Sequence, residues 1–306
     1  MKTLITGAAK FNEEQLSLLN AAGIETVFHR DERERVENPG RFEAVVCNGL
    51  FMHNGIERFT ALRFVQLTSA GLDRMPMDYA RAHGITVKNA KGVYSIPMAE
   101  FAVCGILDLY KKSRFFAENQ KQHRWEKHRG LSELFGKTAC IVGMGDVGTE
   151  TARRLKAFGC RIIGVNRSQR TDEAFDAVLP LEGLEEALEK SDIVVIAIAL
   201  TDETKSIVRP LVPSKMKHGA ILVNVARGAL IDEAETAAAL TDGRLSGAAL
   251  DVFESEPLDE KSPLWEASER MPDNVILTPH NSFVGDGNGR RLFEVIYKNL
   301  TEDIKK

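Results

Sequence analysis

Apolar residues along this chain fall in short runs bounded by turn signals, and these runs alternate with stretches of helical spacing. In the first third, Thr3–Thr6, Ile24–Phe28, Ala44–Cys47, Phe64–Leu67 and Ile85–Val87 read as strands. Asn12 is placed to cap a helix, with Gln15 three residues on as its capping-box partner, and Gly23 ends that helix. A long helix is predicted from about Met98 to Tyr110, after Pro97. A polar segment, Glu118 to Gly130, separates it from a second alternating set. The strands of that set are Thr138–Val142, Arg161–Val165, Ile193–Ala197, Ala220–Asn224, Gly247–Leu250 and Val275–Leu277. An amphipathic helix at about Arg290–Asp303 follows. Near-continuous apolar strands are expected where helices cover both faces of a sheet. The alternation therefore predicts an α/β protein with parallel sheets.

A length of 306 residues suits two domains. The pattern predicts two α/β domains, joined near Pro97. The longest apolar run, Ile193 to Leu200, is far short of the ~20 residues of a membrane helix, so no membrane partner is expected. Lys+Arg is 40 against Asp+Glu 44, which leaves no basic footprint for nucleic acid. The cluster Lys121 to Arg129 includes Glu126 and reads as a solvated face. Cys47, Cys104 and Cys140 sit in apolar runs without any C-x-x-C spacing, as expected of reduced core thiols in a cytoplasmic protein. His123 and His128 are five apart and miss the helical spacing of a metal pair, so no metal is expected.

Gly143-Met144-Gly145-Asp146-Val147-Gly148 fits G-x-G-x-x-G, between the strand Thr138–Val142 and a helix-forming run from Thr149 to Phe158. That context makes it a dinucleotide loop. The first glycine permits the turn, the second admits the pyrophosphate, and the third lets helix and strand pack closely. The helix N-terminus then offers N–H groups to the anion. The next strand leads into Asn166-Arg167-Ser168, with Arg170 nearby. An NAD site usually carries an acid here to hold the ribose hydroxyls. Its absence, with guanidinium groups in reach of a 2′-phosphate, predicts NADP as the preferred cofactor and NAD as the alternative.

Three later segments each follow a predicted parallel strand: Val223 to Gly228, Leu250 to Pro257 and Leu277 to Ser282. Ligands of open α/β sheets bind beyond the carboxyl ends of the strands, so Arg227, Glu256 and His280 are expected to face one crevice. With Val65 to Asp73, the Pro97-Met98-Ala99-Glu100 helix start and Trp125, these segments resemble the D-isomer-specific 2-hydroxyacid dehydrogenase family.

The resemblance implies an enzyme that interconverts a small 2-ketoacid and its 2-hydroxyacid by hydride transfer. Arg227 would bind the substrate carboxylate, His280 would act as acid and base, and Glu256 would tune the imidazole. Asp251 would contact the nicotinamide carboxamide, with Val225 and Ala226 lining the same pocket and His280 beside the cofactor. Ser69, Ala70 and Gly71 resemble the loop that grips the substrate carboxylate, with Asn48 and Gly49 as its partner loop. The substrate loop shows no obvious arginine for a phosphate, which favours an unphosphorylated acid such as glyoxylate, hydroxypyruvate or a branched ketoacid. The resemblance further implies two Rossmann-like domains, residues 1–97 with 283–306 as a flavodoxin-like substrate domain and 98–282 as a dinucleotide-binding domain, with the active site in the cleft between them, and family members are usually homodimers built through the cofactor domain. Some proteins of similar sequence act instead as dinucleotide-sensing corepressors, which is the alternative function.

Overall fold

A computed structural model describes residues 1–168 and 171–304 of the chain. They form two compact units, Met1–Tyr94 with Gly285–Lys306, and Ser95–Val284. The first unit contains β1 (Lys2–Thr6), α1 (Glu13–Ala21), β2 (Glu25–His29), β3 (Ala44–Cys47), β4 (Phe64–Leu67), α2 (Met77–Ala82) and β5 (Thr86–Lys88). The second contains α3 (Ser95–Lys111), α4 (Ser113–Lys121), β6 (Thr138–Val142), α5 (Asp146–Ala157), β7 (Arg161–Val165), β8 (Ala177–Leu179) and α6 (Leu184–Lys190). It continues through β9 (Ile193–Ile196), α7 (Asp202–Leu211), β10 (Ala220–Asn224), α8 (Glu233–Thr241), β11 (Leu245–Leu250), α9 (Pro263–Arg270) and β12 (Val275–Leu277). The last helix, α10 (Asn288–Ile304), returns to the first unit.

Every strand pair is parallel. The first sheet has the order β2-β1-β3-β4-β5, the flavodoxin-like order. The second runs β12-β11-β10-β9-β6-β7-β8. Counted from β6 as its first strand, that is the dinucleotide-binding order 3-2-1-4-5-6 with one strand added. The α/β class with two parallel sheets is thus the fold of this chain.

Both faces of each sheet are covered, which is why the strands lack polar alternation. In the second unit Cys140, Val142, Val194 and Leu222 pack on one side, and Ala139, Ile141, Val195 and Val223 on the other. In the first, α10 places Phe293, Ile296 and Leu300 against Ile5, Val46 and Phe64. Polar contacts fix its register: Asn299 donates to the buried Gln66 side chain at 2.8 Å, and Arg63 pairs with Asp303 at 2.5 Å.

The N-cap of α1 is the expected one. The Asn12 side chain accepts from the Gln15 N–H at 2.8 Å, and Gln15 reaches back to the Asn12 N–H at 3.0 Å. Other expectations need correction. The long helix begins at Ser95, so Pro97 lies inside its first turn, where a missing N–H costs no hydrogen bond. The polar segment after it is partly helical, because α4 reaches Lys121. Strand β8 has three half-buried residues, too few for an apolar run to show in the sequence. Cys104 is not a core thiol but is exposed. On α3 the buried face carries Ala102, Val103, Ile106 and Leu109, and Cys104 falls outside it. Cys47 and Cys140 are buried as expected. Burial pushes the Cys140 thiol up to about 12, and burial with Glu32 nearby pushes the Cys47 thiol up too. Among the described residues no helix is long and apolar enough to cross a membrane.

Candidate active site

The strand order of the second unit reverses between β6 and β9, and the glycine loop lies there. Gly143 has φ +104°, and a Cβ on it would stand 2.5 Å from the Ile198 nitrogen. A Cβ on Gly148 would stand 1.9 Å from the Gly143 carbonyl oxygen. These two glycines are required by packing and conformation. Gly145 is different: a Cβ there would meet nothing within 4 Å. Its side faces open space, which is what a residue beside a ligand needs. Helix α5 starts at Asp146, inside the motif and earlier than its sequence pattern predicted, with Gly145 as an N-cap that supplies no side-chain bond. The N–H groups of Gly145, Asp146 and Val147 have no acceptor among the described residues. The loop therefore fits a dinucleotide pyrophosphate, which would complete these donors.

Beyond β7, the Asn166 side chain donates to the Ser168 carbonyl at 3.0 Å and to its hydroxyl at 3.1 Å. Arg167 is exposed and pairs with Glu203, in the first turn of α7, at 3.4 Å. Arg170 lies outside the described residues.

The three segments singled out by sequence follow β10, β11 and β12, which are neighbours in the sheet. After β10, the buried Asn224 braces the turn. Its Oδ1 accepts from the Ala226 N–H at 3.0 Å and its Nδ2 donates to the Arg227 carbonyl at 3.0 Å. Val225 and Ala226 are buried, and the Arg227 guanidinium donates to the Ala226 carbonyl at 2.7 Å. A Cβ on Gly228 would stand 1.9 Å from the Phe253 carbonyl carbon, so the turn carrying Arg227 lies directly against the loop carrying Glu256.

Glu256 and His280 meet: Nδ1 of His280 stands 2.7 Å from Oε2 of Glu256. An ionised carboxylate only accepts, so Nδ1 is the donor and Nε2 is left for chemistry. The other Glu256 oxygen accepts from the Phe253 N–H at 3.1 Å, which orients the carboxylate. His280 has φ +50°, a left-handed conformation that costs a non-glycine residue ~1–3 kcal/mol. Asp251 is the residue that offsets this. It is 1% exposed. Its Oδ1 accepts from the Thr278 hydroxyl and the Asn281 N–H, both at 2.8 Å. Its Oδ2 accepts from the Ser282 N–H at 2.9 Å, and its carbonyl accepts from the His280 N–H at 2.8 Å. Asp251, expected from sequence to contact the cofactor, also cradles the histidine loop. Asn224 was not among the sequence-derived site residues. The signal that could have found it is a buried amide one turn before the arginine.

In the first unit the two loops expected to hold substrate differ. The carbonyls of residues 68–71 are all engaged. Thr68 accepts from the Tyr94 hydroxyl, Ser69 from the Ala90 N–H at 2.9 Å, Ala70 from Asn89 at 2.6 Å and Gly71 from the Ser69 hydroxyl at 3.0 Å. The N–H groups of Ala70 and Gly71 have no acceptor among the described residues. At Asn48 and Gly49 the reverse holds, because Glu32 accepts both N–H groups, at 2.7 and 2.6 Å. Arg30, Arg33, Arg74 and His53 line a crevice with that pair. Arginine side chains thus stand beside the loop that was expected to offer none for a substrate phosphate. Arg74 follows the 69–71 loop directly, whereas Arg30 and Arg33 come from a loop far away in the chain, where nothing in the sequence links them to it.

The model of the family described as D-isomer specific 2-hydroxyacid dehydrogenase, NAD binding domain, matches residues 103–282. A glyoxylate reductase of Korarchaeum cryptofilum is 33% identical over 244 residues, covering 78% of this chain and 72% of that protein. A D-3-phosphoglycerate dehydrogenase of Archaeoglobus fulgidus is 30% identical over 285 residues; these cover 92% of this chain but only 53% of that protein. Among solved structures, a glyoxylate reductase from Paecilomyes thermophila superposes with a TM-score of 0.84 at 26% identity, covering 100% of this chain and 96% of that one. Nothing in the site or among these relatives favours a corepressor. The chain belongs to the D-isomer-specific 2-hydroxyacid dehydrogenase family, oxidoreductases that act on CH–OH groups with a nicotinamide dinucleotide.

Proposed function

We propose that the protein reduces a small 2-ketoacid to its D-2-hydroxyacid, and runs the reverse reaction, with NADP(H) preferred over NAD(H). The observation that carries this reading is the 2.7 Å His280–Glu256 pair, held on a strained loop at the carboxyl edge of the sheet that bears the glycine nest. The bound nicotinamide supplies or accepts the hydride. His280 gives a proton from Nε2 to the substrate oxygen during reduction and takes it back in oxidation. Its Nδ1 stays anchored on Glu256, so the ring keeps one orientation through both directions. Arg227 presents a planar guanidinium fork suited to a substrate carboxylate. The open N–H groups of Ala70 and Gly71 suit the same charge, as backbone nests do. Asp251 and Asn224 hold the two loops in place and act through their neighbours.

The preference for NADP rests on Asn166-Arg167-Ser168, where no acid stands after β7 to repel a 2′-phosphate. A homodimer belongs to the same reading. Trp125 is 98% exposed and Phe135 79%, large apolar surfaces that a second copy would cover. Light scattering of the purified chain tests this, and a monomer at working concentration would overturn it. The function itself is tested by following NADPH and NADH consumption with glyoxylate, hydroxypyruvate, pyruvate and a branched 2-ketoacid. Turnover of at least one acid, faster with NADPH, is expected. No turnover of any acid with either cofactor would overturn the reading.

A further inference from the structure

The first unit has a switch point of its own, between β1 and β3, and ligands of open parallel sheets lodge at such reversals. A crevice of about 610 Å³ lies there, lined among others by Arg30, Glu32, Asn48, Gly49, His53 and Arg74. The nearby Arg33 is held by Asp31 at 2.7 Å. Arg30 and Arg74 have no hydrogen-bond or ion-pair partner among the described residues. Glu32 is engaged elsewhere. Its Oε1 accepts from the Thr6 hydroxyl at 2.6 Å, and its two oxygens take the Asn48 and Gly49 N–H groups. Beside the paired Arg33 and Asp31, two uncommitted guanidinium groups thus line the crevice with one occupied carboxylate, and its charge is net positive.

The main-chain donors of this crevice are closed by Glu32, whereas those of Ala70 and Gly71 are open. A carboxylate next to a keto group is therefore best served at Ala70 and Gly71, which leaves the arginines of the crevice for a different anion. We propose that Arg30 and Arg74 bind a second anionic group of the substrate, a distal carboxylate or a phosphate, so that the preferred substrates are dianionic 2-ketoacids. This rests on the 2-ketoacid reading above. A guanidinium bonded to an anion changes affinity by about 10- to 100-fold.

The test compares kcat/KM of the full-length protein with NADPH for oxaloacetate and 3-phosphohydroxypyruvate against pyruvate and glyoxylate. At least one dianion is expected to exceed both monoanions by about tenfold or more, and the winner tells carboxylate from phosphate. Because Arg30 and Arg74 are exposed, the double variant Arg30→Gln/Arg74→Gln is expected to unfold at the wild-type temperature. In it the ratio of dianion to monoanion kcat/KM should fall about tenfold, and the wild-type ratio should fall with added salt. Equal use of monoanions and dianions, or a preference that survives the double variant, would overturn this inference and leave the 2-ketoacid reading standing. No turnover of any acid would overturn both.

Discussion

The two switch points of this molecule occupy the same topological position and are finished in opposite ways. Between β6 and β9 the chain leaves main-chain donors without acceptors and removes side chains from the space in front of them. Between β1 and β3 it fills the equivalent donors with its own carboxylate, Glu32, and sets free arginines around it. An empty nest selects an anion by main-chain geometry and suits one invariant group, such as a pyrophosphate. A filled nest ringed by long cationic side chains selects by charge and tolerates variation in ligand length. The lesson is that strand order sets where a ligand can bind, while the donors left unsatisfied set which ligand it is.

The comparison is sharpened most by removing the imidazole proposed to carry the proton in the second unit. His280→Gln is expected to lower kcat by about 10²–10⁴-fold, read by steady-state NADPH consumption, because general acid–base help of that size is lost. A variant with full activity would sever the link between the nest and the chemistry. Next come the glycines, which should separate fold from binding. Gly148→Ala forces a Cβ onto the Gly143 carbonyl and is expected to cost ~3 kcal/mol of unfolding free energy in a urea titration. Gly145→Ala meets no atom, so stability should stay within ~0.5 kcal/mol while NADPH affinity falls about tenfold by fluorescence titration. Unchanged affinity would mean that the open space at Gly145 does not face the cofactor.

In the first unit, Glu32→Gln replaces an acceptor pair by one acceptor and one donor facing two N–H groups. A loss of ~1–3 kcal/mol in urea unfolding is expected. A stability equal to wild type would show that the Glu32 carboxylate is dispensable to its loop. The smallest effect concerns Glu203, which shares the Arg167 guanidinium. An exposed pair of this kind contributes ~0–1 kcal/mol. Glu203→Gln should therefore raise the ratio of NADPH to NADH affinity by about threefold, through a freer Arg167 and one less negative charge near a 2′-phosphate. A fall in that ratio would mean that Glu203 instead presents Arg167 to the cofactor.

Local chemistry was legible in the sequence. The Asn12/Gln15 capping box, the parallel strands and the glycine loop all follow from spacing and from what each residue permits in its own turn. Glu256 and His280 were legible as members of one site because each follows a strand of the same parallel sheet, and that sheet delivers its carboxyl ends to one edge. What stayed hidden depends on partners far away in sequence. Asp251 reads as a lone acid after a strand, yet its meaning lies in donors near residue 280. Glu32 reads as one charge among many in a polar loop, yet it closes a nest at residues 48 and 49. The exposed Cys104 sits in an apolar run whose burial is decided by which face of α3 meets the sheet.

By itself the sequence determined the class of fold, the place of the dinucleotide loop and the family's arginine, glutamate and histidine, because these depend on period, glycine and strand ends. Only the tertiary structure decided which backbone donors remain open, which carboxylate fills a nest and which arginines are uncommitted. Satisfaction of a hydrogen-bonding group is a property of its neighbours in space, and one residue's letter carries no record of them.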